Sequence, residues 1–269
     1  MRKLSLSRAW DETKSIVAHD GRLLGSVALA LVFLPQIVMA VVGLPLGAQA
    51  SLASRIVYFL VILLGLTAQI ALNRLAIGPS ITVGGAIRRG LERLGPMLAA
   101  MLLLIIALTF LLIVIGIALG ATGLAAMPGE AEVLPAWLVI LLILMTALSF
   151  GIFQLLIPVA AAEQGGPIHL FSRSWQLARG NYLRLLAFIV LIIVGIFIVA
   201  LASQFALGTL IVAFLGEPRP WSLSALALGI FAGVIQVGFT VLTAVMLARI
   251  YVQLAGGAGA QPSVPRSGT

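Results

Sequence analysis

Glu163 and His169 are an acid and an imidazole that this chain places within two helical turns of each other. Such a pair suits general acid–base work, in which a positioned carboxylate or imidazole moves a proton in the transition state. The flanking sequence does not support that use. No G-x-S-x-G elbow, P-loop or paired carboxylate lies nearby or within any apolar run. His19 and His169 are far apart and there is no cysteine, so neither a metal cluster nor a disulfide framework is expected. Catalytic, cofactor-binding and metal-binding residues are therefore expected to be absent. Glu163 is expected to pair with Arg173 or to cap the N-terminal end of the helix that follows it.

A second set of polar residues is neutral and deeper. Gln36, Gln69, Asn73, Gln154, Gln204 and Gln236, with Thr67, Thr109, Thr240 and Thr243, interrupt runs that are otherwise apolar. Asp, Glu, Lys and Arg are missing from the middle of those runs, which argues against a proton relay or an ion-coupled pump. The expected role of Gln69, Gln154 and Gln236 is mutual hydrogen bonding between helices. The alternative is a polar cavity approached through the breaks at Pro35 and Pro158.

A third set is basic and aromatic. Arg8 and Trp10, then Arg88, Arg89 and Arg93, then Arg173, Trp175 and Arg179 occur in three short segments of amphipathic, helix-period sequence. In 80–94, Val83, Ile87, Leu91 and Leu94 oppose the charges. In 167–179, Ile168, Phe171, Trp175 and Ala178 do so, and near the N-terminus Leu6, Trp10, Thr13 and Val17 do so. Such helices are expected to lie in the headgroup plane with the apolar face down, attracted by anionic phospholipid. Gly95-Pro96 and Gly180-Asn181 are expected to close the second and third of them.

The elements that must position these groups are transmembrane helices. The chain is 62% hydrophobic and 9% charged, with a mean hydropathy of +1.21, far outside the soluble range. Six nearly uncharged runs, 23–54, 56–73, 94–129, 133–162, 185–216 and 220–248, approach or exceed the roughly 20 residues that cross a bilayer core. They do not alternate with period two, which excludes a β-barrel. The stretch "LGAQAS" at 46–51 resembles a cleavage site, but the preceding region is long and acidic, so the first run is expected to remain as a span. Of the 16 Lys and Arg, all but Arg55 and Arg219 fall on one side of such a layout. The positive-inside rule then places both termini in the cytoplasm. Charges held in short loops do not suit a nucleic-acid surface, despite the net charge of +8.

Spacing suggests an internal repeat. "SRAW" at 7–10 and "SRSW" at 172–175 bracket "RRGL" at 88–91, with Arg8, Arg89 and Arg173 separated by 81 and 84 residues. Gln69, Gln154 and Gln236 are separated by 85 and 82, and Trp137 and Trp221 by 84. The expected fold is thus an all-α polytopic membrane protein. Its six transmembrane helices form three parallel repeats of a cytoplasmic amphipathic interfacial helix and a transmembrane hairpin. One membrane domain spans 1–255, with units of about 1–77, 78–162 and 163–255, and 256–269 reads as a disordered tail.

Residues 158–186, "PVAAAEQGGPIHLFSRSWQLARGNYLRLL", carry a resemblance. A span ends near Pro158, and Glu163, Gly166 and Pro167 follow. Then come Arg173, Ser174, Trp175, Leu177, Gly180 and Asn181 before the next span. This order resembles the membrane domain of bacterial glycerophosphoryl diester phosphodiesterases and the related YciC-like inner-membrane proteins. The resemblance implies a bacterial inner-membrane location and a membrane module, but not the reaction, since the family's activity resides in a separate soluble barrel. The functional expectation is a non-enzymatic integral membrane module that organises or regulates lipid- or envelope-related partners, with the bilayer and anionic headgroups as its ligands. The alternative is a transporter or channel for a neutral or lipidic solute that uses the glutamines.

Overall fold

A computed structural model of the chain describes residues 4–43, 51–78, 81–121 and 153–256, without the side chains of 118–121 and 204. Among these residues all regular structure is helical. The helices are α1 (Leu6–Ala28), α2 (Leu34–Val42), α3 (Leu52–Ile77), α4 (Val83–Ala121), α5 (Phe153–Ala162), α6 (Pro167–Ala178), α7 (Tyr182–Ser203), α8 (Thr209–Leu215) and α9 (Leu223–Ala255). Two π-helical turns, Leu29–Phe33 and Gln204–Gly208, join α1 to α2 and α7 to α8.

Five helical segments among the described residues are long and apolar enough to cross a membrane: Leu6–Val42, Leu52–Ile77, Val83–Ile117, Tyr182–Leu215 and Leu223–Ala255. The expected fourth span, 133–162, is represented by α5 alone; 133–152, with Trp137, lies outside the described residues, as do Pro79 and 257–269.

The first amphipathic segment differs from expectation. It runs without interruption into the first span, so that Leu6–Val42 is one 37-residue rod. At about 1.5 Å per residue the rod is about 55 Å long, well beyond a hydrocarbon core of about 30 Å. Its first turns therefore project past the core as a continuation of the span. The rod lies antiparallel to α9 along its length. Glu12 meets Arg249, Thr13 meets Met246, Val41 O accepts from Trp221 N, and Phe33 and Ala40 lie against Gly233 and Gly229. These contacts outweigh the helix-weakening effect of Gly21, worth only about 1 kcal/mol. The π turn has a local cause. Pro35 has no N–H and its ring would meet the carbonyl of Leu31; the helix widens just before it, with Leu34 N donating to Leu29 O.

The second amphipathic segment is also continuous with its span, and Gly95-Pro96 lies inside α4 rather than ending a helix. Proline is tolerated there because packing against neighbours holds the flanking turns. Gly90 crosses α3 so closely that an added Cβ would lie 2.7 Å from Thr67 O, and Arg93 is fixed by bonds described below. Only the third segment, α6, is a separate helix. It stops at Arg179–Asn181, where Gly180 takes φ +96° and Asn181 N reaches back to Ala178 O. The three expected copies thus differ in local structure.

Leu91 is 54% exposed, Trp10 44% and Trp175 42%, whereas Ala9, Thr13, Ala86, Leu170 and Ser174 on the same segments are fully buried. The Arg8, Arg89 and Arg173 register holds in one respect, since the next residues, Ala9, Gly90 and Ser174, are all buried. In a bilayer the apolar face turns to lipid, and small residues turn inward where backbones approach.

The packed core gathers toward the end that carries Arg8, Glu163 and Arg249. One apolar cluster there includes Ile70, Met97, Leu155, Leu156, Leu170, Leu185 and Ile250. A second, on the opposite side of α3 and α9, includes Leu24, Ala71, Leu72, Ala244 and Ala248. Beyond this end the outer lengths of α4 and α7 are mostly exposed; Ile117 is 69% exposed and Phe197 62%.

Gly229 and Gly233 form a G-x-x-x-G pair on α9, and added Cβ atoms would lie 2.7 Å from Ala40 Cβ and Phe33 Cδ2. Gly229→Leu or Gly233→Leu should destabilise the purified protein in detergent by about 1–3 kcal/mol through overpacking. Gly238→Leu, where nothing lies within 4 Å, should change the thermal unfolding midpoint little. Equal midpoints for all three would contradict the α1–α2 and α9 pairing.

Candidate functional site

Two polar features stand out in this apolar frame. The first is a layer that ties the helix ends together at the core end of the bundle. The turn after α5 places Glu163 where its Oε1 accepts from Arg173 Nε at 2.9 Å and from Tyr251 Oη at 2.9 Å. His169 Nε2 stands 3.8 Å from the other oxygen. The last carbonyls of α5 would otherwise lack donors. Arg93, only 9% exposed, supplies donors to this turn: its guanidinium gives 2.8 and 3.1 Å bonds to the carbonyls of Glu163 and Gly165. Arg93 is thus a buried clamp from α4, not a headgroup contact as its place in the pattern implies. Arg173 is likewise turned to Glu163.

The same layer fixes the N-terminus. Leu4 N donates to Asn181 Oδ1 at 3.1 Å, Leu4 O accepts from Arg184 Nη1 at 3.0 Å, and Ser5 N donates to Gln253 Oε1 at 3.2 Å. Glu12 bridges Arg8 at 2.8 Å and Arg249 at 2.7 Å. Glu12, Arg249, Tyr251 and Gln253 are not singled out by sequence reasoning. Their one legible signal is the polar tail of the last apolar run, "ARIYVQ" at 248–253.

The residues of the 158–186 motif mostly do structural work in this layer. Gly166 is the extended N-cap of α6 and Pro167 opens it. Ser174 Oγ donates to Leu170 O, and Leu177 is buried. Arg179, at the C-cap of α6, is exposed, and so is Arg88, 3.5 Å from Glu92.

The second feature lies deeper. Gln69 from α3, Gln154 from α5 and Gln236 from α9 line one cavity of about 170 Å³, together with Thr240, Thr243 and the apolar face of α7 at Phe188, Ile189, Ile192, Ile193 and Ile196. Three residues spaced by 85 and 82 positions in the chain thus converge on one space. Among the described residues no hydrogen bond joins these amides to one another, so the mutual pairing expected of them is not what the structure contains. Gln69 Oε1 is buried without a partner, and Gln236 is exposed on the open side between α7 and α9. Pro158, one turn beyond Gln154, has no N–H with which to satisfy the Gln154 carbonyl. The site is rich in neutral hydrogen-bonding groups, and among the described residues no ionisable side chain lines it. Gln36 and Asn73 are outside it; Asn73 is fully buried and donates to Gln69 O.

Glu163 makes the layer cooperative. Glu163→Gln should lower stability by about 1–3 kcal/mol, the cost of leaving buried hydrogen-bonding partners unsatisfied. Tyr251→Phe should cost less. The double variant should cost less than the two changes summed, because both remove one shared contact. Strict additivity in the unfolding midpoints would refute the link between α5 and α9.

Residues 9–254 match a family model described as Domain of unknown function (DUF7847). No curated protein and no solved structure matches the chain.

Proposed function

The chain belongs to the DUF7847 family over a stretch that contains every helix of the cavity, and on that premise we propose that its function resides in this membrane domain. The protein is an integral membrane protein that binds a neutral, hydrogen-bonding, lipid-like solute within the bilayer and does not transform it chemically. One observation carries the reading: three amides from three different helices, with two threonines, face a single cavity and do not satisfy each other. A polar group in hydrocarbon that lacks a partner costs several kcal/mol, so an exposed amide on a transmembrane surface calls for a ligand. A cavity whose described polar lining is amide and hydroxyl selects a solute with hydroxyl, carbonyl or amide groups over ions.

The basic end faces the cytoplasm in this reading, by the positive-inside rule. The membrane is a bacterial inner membrane, as the resemblance of 158–186 suggests, and no phosphodiesterase chemistry is involved. A second role, organising lipid or envelope partners from the same end, is supported by Trp10, Leu91 and Trp175. All three are exposed beside Arg8, Arg88 and Arg179, an arrangement suited to the headgroup zone. Charge reversal at Arg8, Arg88 and Arg179 should reduce association with vesicles rich in anionic lipid and leave the cavity unaffected. Unchanged association would remove this second role.

The cavity reading is tested by native mass spectrometry of protein released from mild detergent. The wild type should retain a neutral lipid adduct. Gln236→Leu should weaken retention about five- to tenfold, the equivalent of one hydrogen bond of about 1–1.4 kcal/mol. Anionic phospholipid alone, held equally by both proteins, would contradict the proposal.

A further inference from the structure

The amide-lined cavity is not isolated. A second cavity of about 180 Å³ continues along the same seam between α7 and α9. The two share Ile196, Gln236 and Phe239 as common wall. Both mix polar and apolar surface, but their side chains differ. The first holds the amides and both threonines, whereas the second is bounded by Ala200, Leu228, Phe231, Ala232 and Ile235, with Ser203 and the shared Gln236 as its polar side chains.

Length makes the combination specific. From Thr243 at one end to Leu228 at the other, α9 advances about 22 Å at about 1.5 Å per residue. One leaflet of a hydrocarbon core about 30 Å thick is about 15 Å deep. With the head group along Gln236 to Thr243, the stretch from Gln236 to Leu228 leaves about 12 Å for the chain, most of the depth of one leaflet. Access is lateral. Ile193 is 50% exposed and Ile196 39% on α7, while Ala232 and Gln236 are exposed on α9, so the seam opens to the surface that lipid covers rather than to water.

We infer that the α7–α9 seam is a groove for one acyl chain of a neutral single-chain lipid, with its head on Gln69, Gln154, Gln236, Thr240 and Thr243 and its chain running toward Leu228. This rests on the cavity reading above and adds to it the ligand's shape, polarity and direction. Charge complementarity disfavours the phospholipids as occupants, because among the described residues no Lys, Arg or His lines either cavity to meet a phosphate. A bare hydrocarbon chain would leave the amides unsatisfied. A monoacylglycerol has the required chemistry: a hydroxylated, uncharged head and one chain.

The test uses the full-length protein in phosphatidylcholine nanodiscs and two photoreactive monoacylglycerols, one with a diazirine near the head and one with it near the chain terminus. After irradiation, labelled peptides are mapped by mass spectrometry. The head-proximal probe should label 236–243 and the chain-terminal probe 196–203 and 228–235, each several-fold above the lipid-exposed face of α4 at 102–117. Unlabelled monoacylglycerol in excess should compete for both. Ala232→Phe, at an exposed position lining only the second cavity, should abolish chain-terminal labelling of the seam and leave head-proximal labelling in place; Ala200→Phe serves as a second filling variant. Head-proximal labelling at 236–243 with chain-terminal labelling no greater than on α4 would overturn the groove and retain the cavity. Labelling by both probes that is uniform over the lipid-facing helices would overturn both.

Discussion

The carboxylate of Glu163 is the point at which four helices are tied. It accepts from Arg173 of α6 and Tyr251 of α9, while the turn that carries it is clamped through backbone carbonyls by Arg93 of α4 and continues from α5. In a bilayer, apolar side chains gain little by leaving lipid for one another, so helix association depends on close packing and on satisfied polar groups. The described packing follows that rule. The buried leucines and isoleucines of one core cluster lie directly beneath this polar layer, and the apolar outer lengths of α4 and α7 turn to the surface. The second fastening, Glu12 to Arg249, works with the glycine contacts at Gly229 and Gly233 to hold the N-terminal rod along α9.

Such a frame explains how polar groups persist below the layer. Gln69 sits on the central helix α3, whose neighbours on both sides are packed: Ile70 belongs to one apolar cluster and Ala71 and Leu72 to the other. Its side chain is held at the junction by its position, and its oxygen finds no partner among the described residues. Gln154 is set by α5, which the Arg93 clamp anchors at its far end, and Gln236 by α9. The cavity is thus a consequence of where three well-fixed helices are separated from α7. The polar layer fastens one end of the bundle, and the cavity lies farther along the same helices.

Much of this was legible in the sequence, and the remainder fails for identifiable reasons. Composition alone specifies a helical membrane class, because runs of that length and apolarity have no other stable form in water or lipid. Gly180-Asn181 marks a true helix stop, and the even spacing of Gln69, Gln154 and Gln236 anticipates residues that line one space. The amphipathic faces were harder to read. The apolar faces are expected to turn to lipid, and Leu91, Trp10 and Trp175 are exposed; the pattern does not single out the inward face, where Ala9, Gly90 and Ser174 are buried. Gly95-Pro96 looked like a stop because propensity ignores tertiary support, which here is the close α3–α4 crossing at Gly90 and Thr67. The burial of Arg93 had no local signal. Its partners, the carbonyls of Glu163 and Gly165, lie some 70 residues away, and Glu12 and Arg249 are 237 residues apart.

The central claim is that the space between Gln69, Gln154 and Gln236 is a binding site and not a packing defect. An experimental structure in lipid nanodiscs, at a resolution that shows side-chain amides, tests it most directly. The account predicts elongated non-protein density along the α7–α9 seam, with its polar end within hydrogen-bonding distance of at least two of the three amides. A closed seam in which the three amides hydrogen-bond to one another, or to side chains of the protein itself, would contradict it.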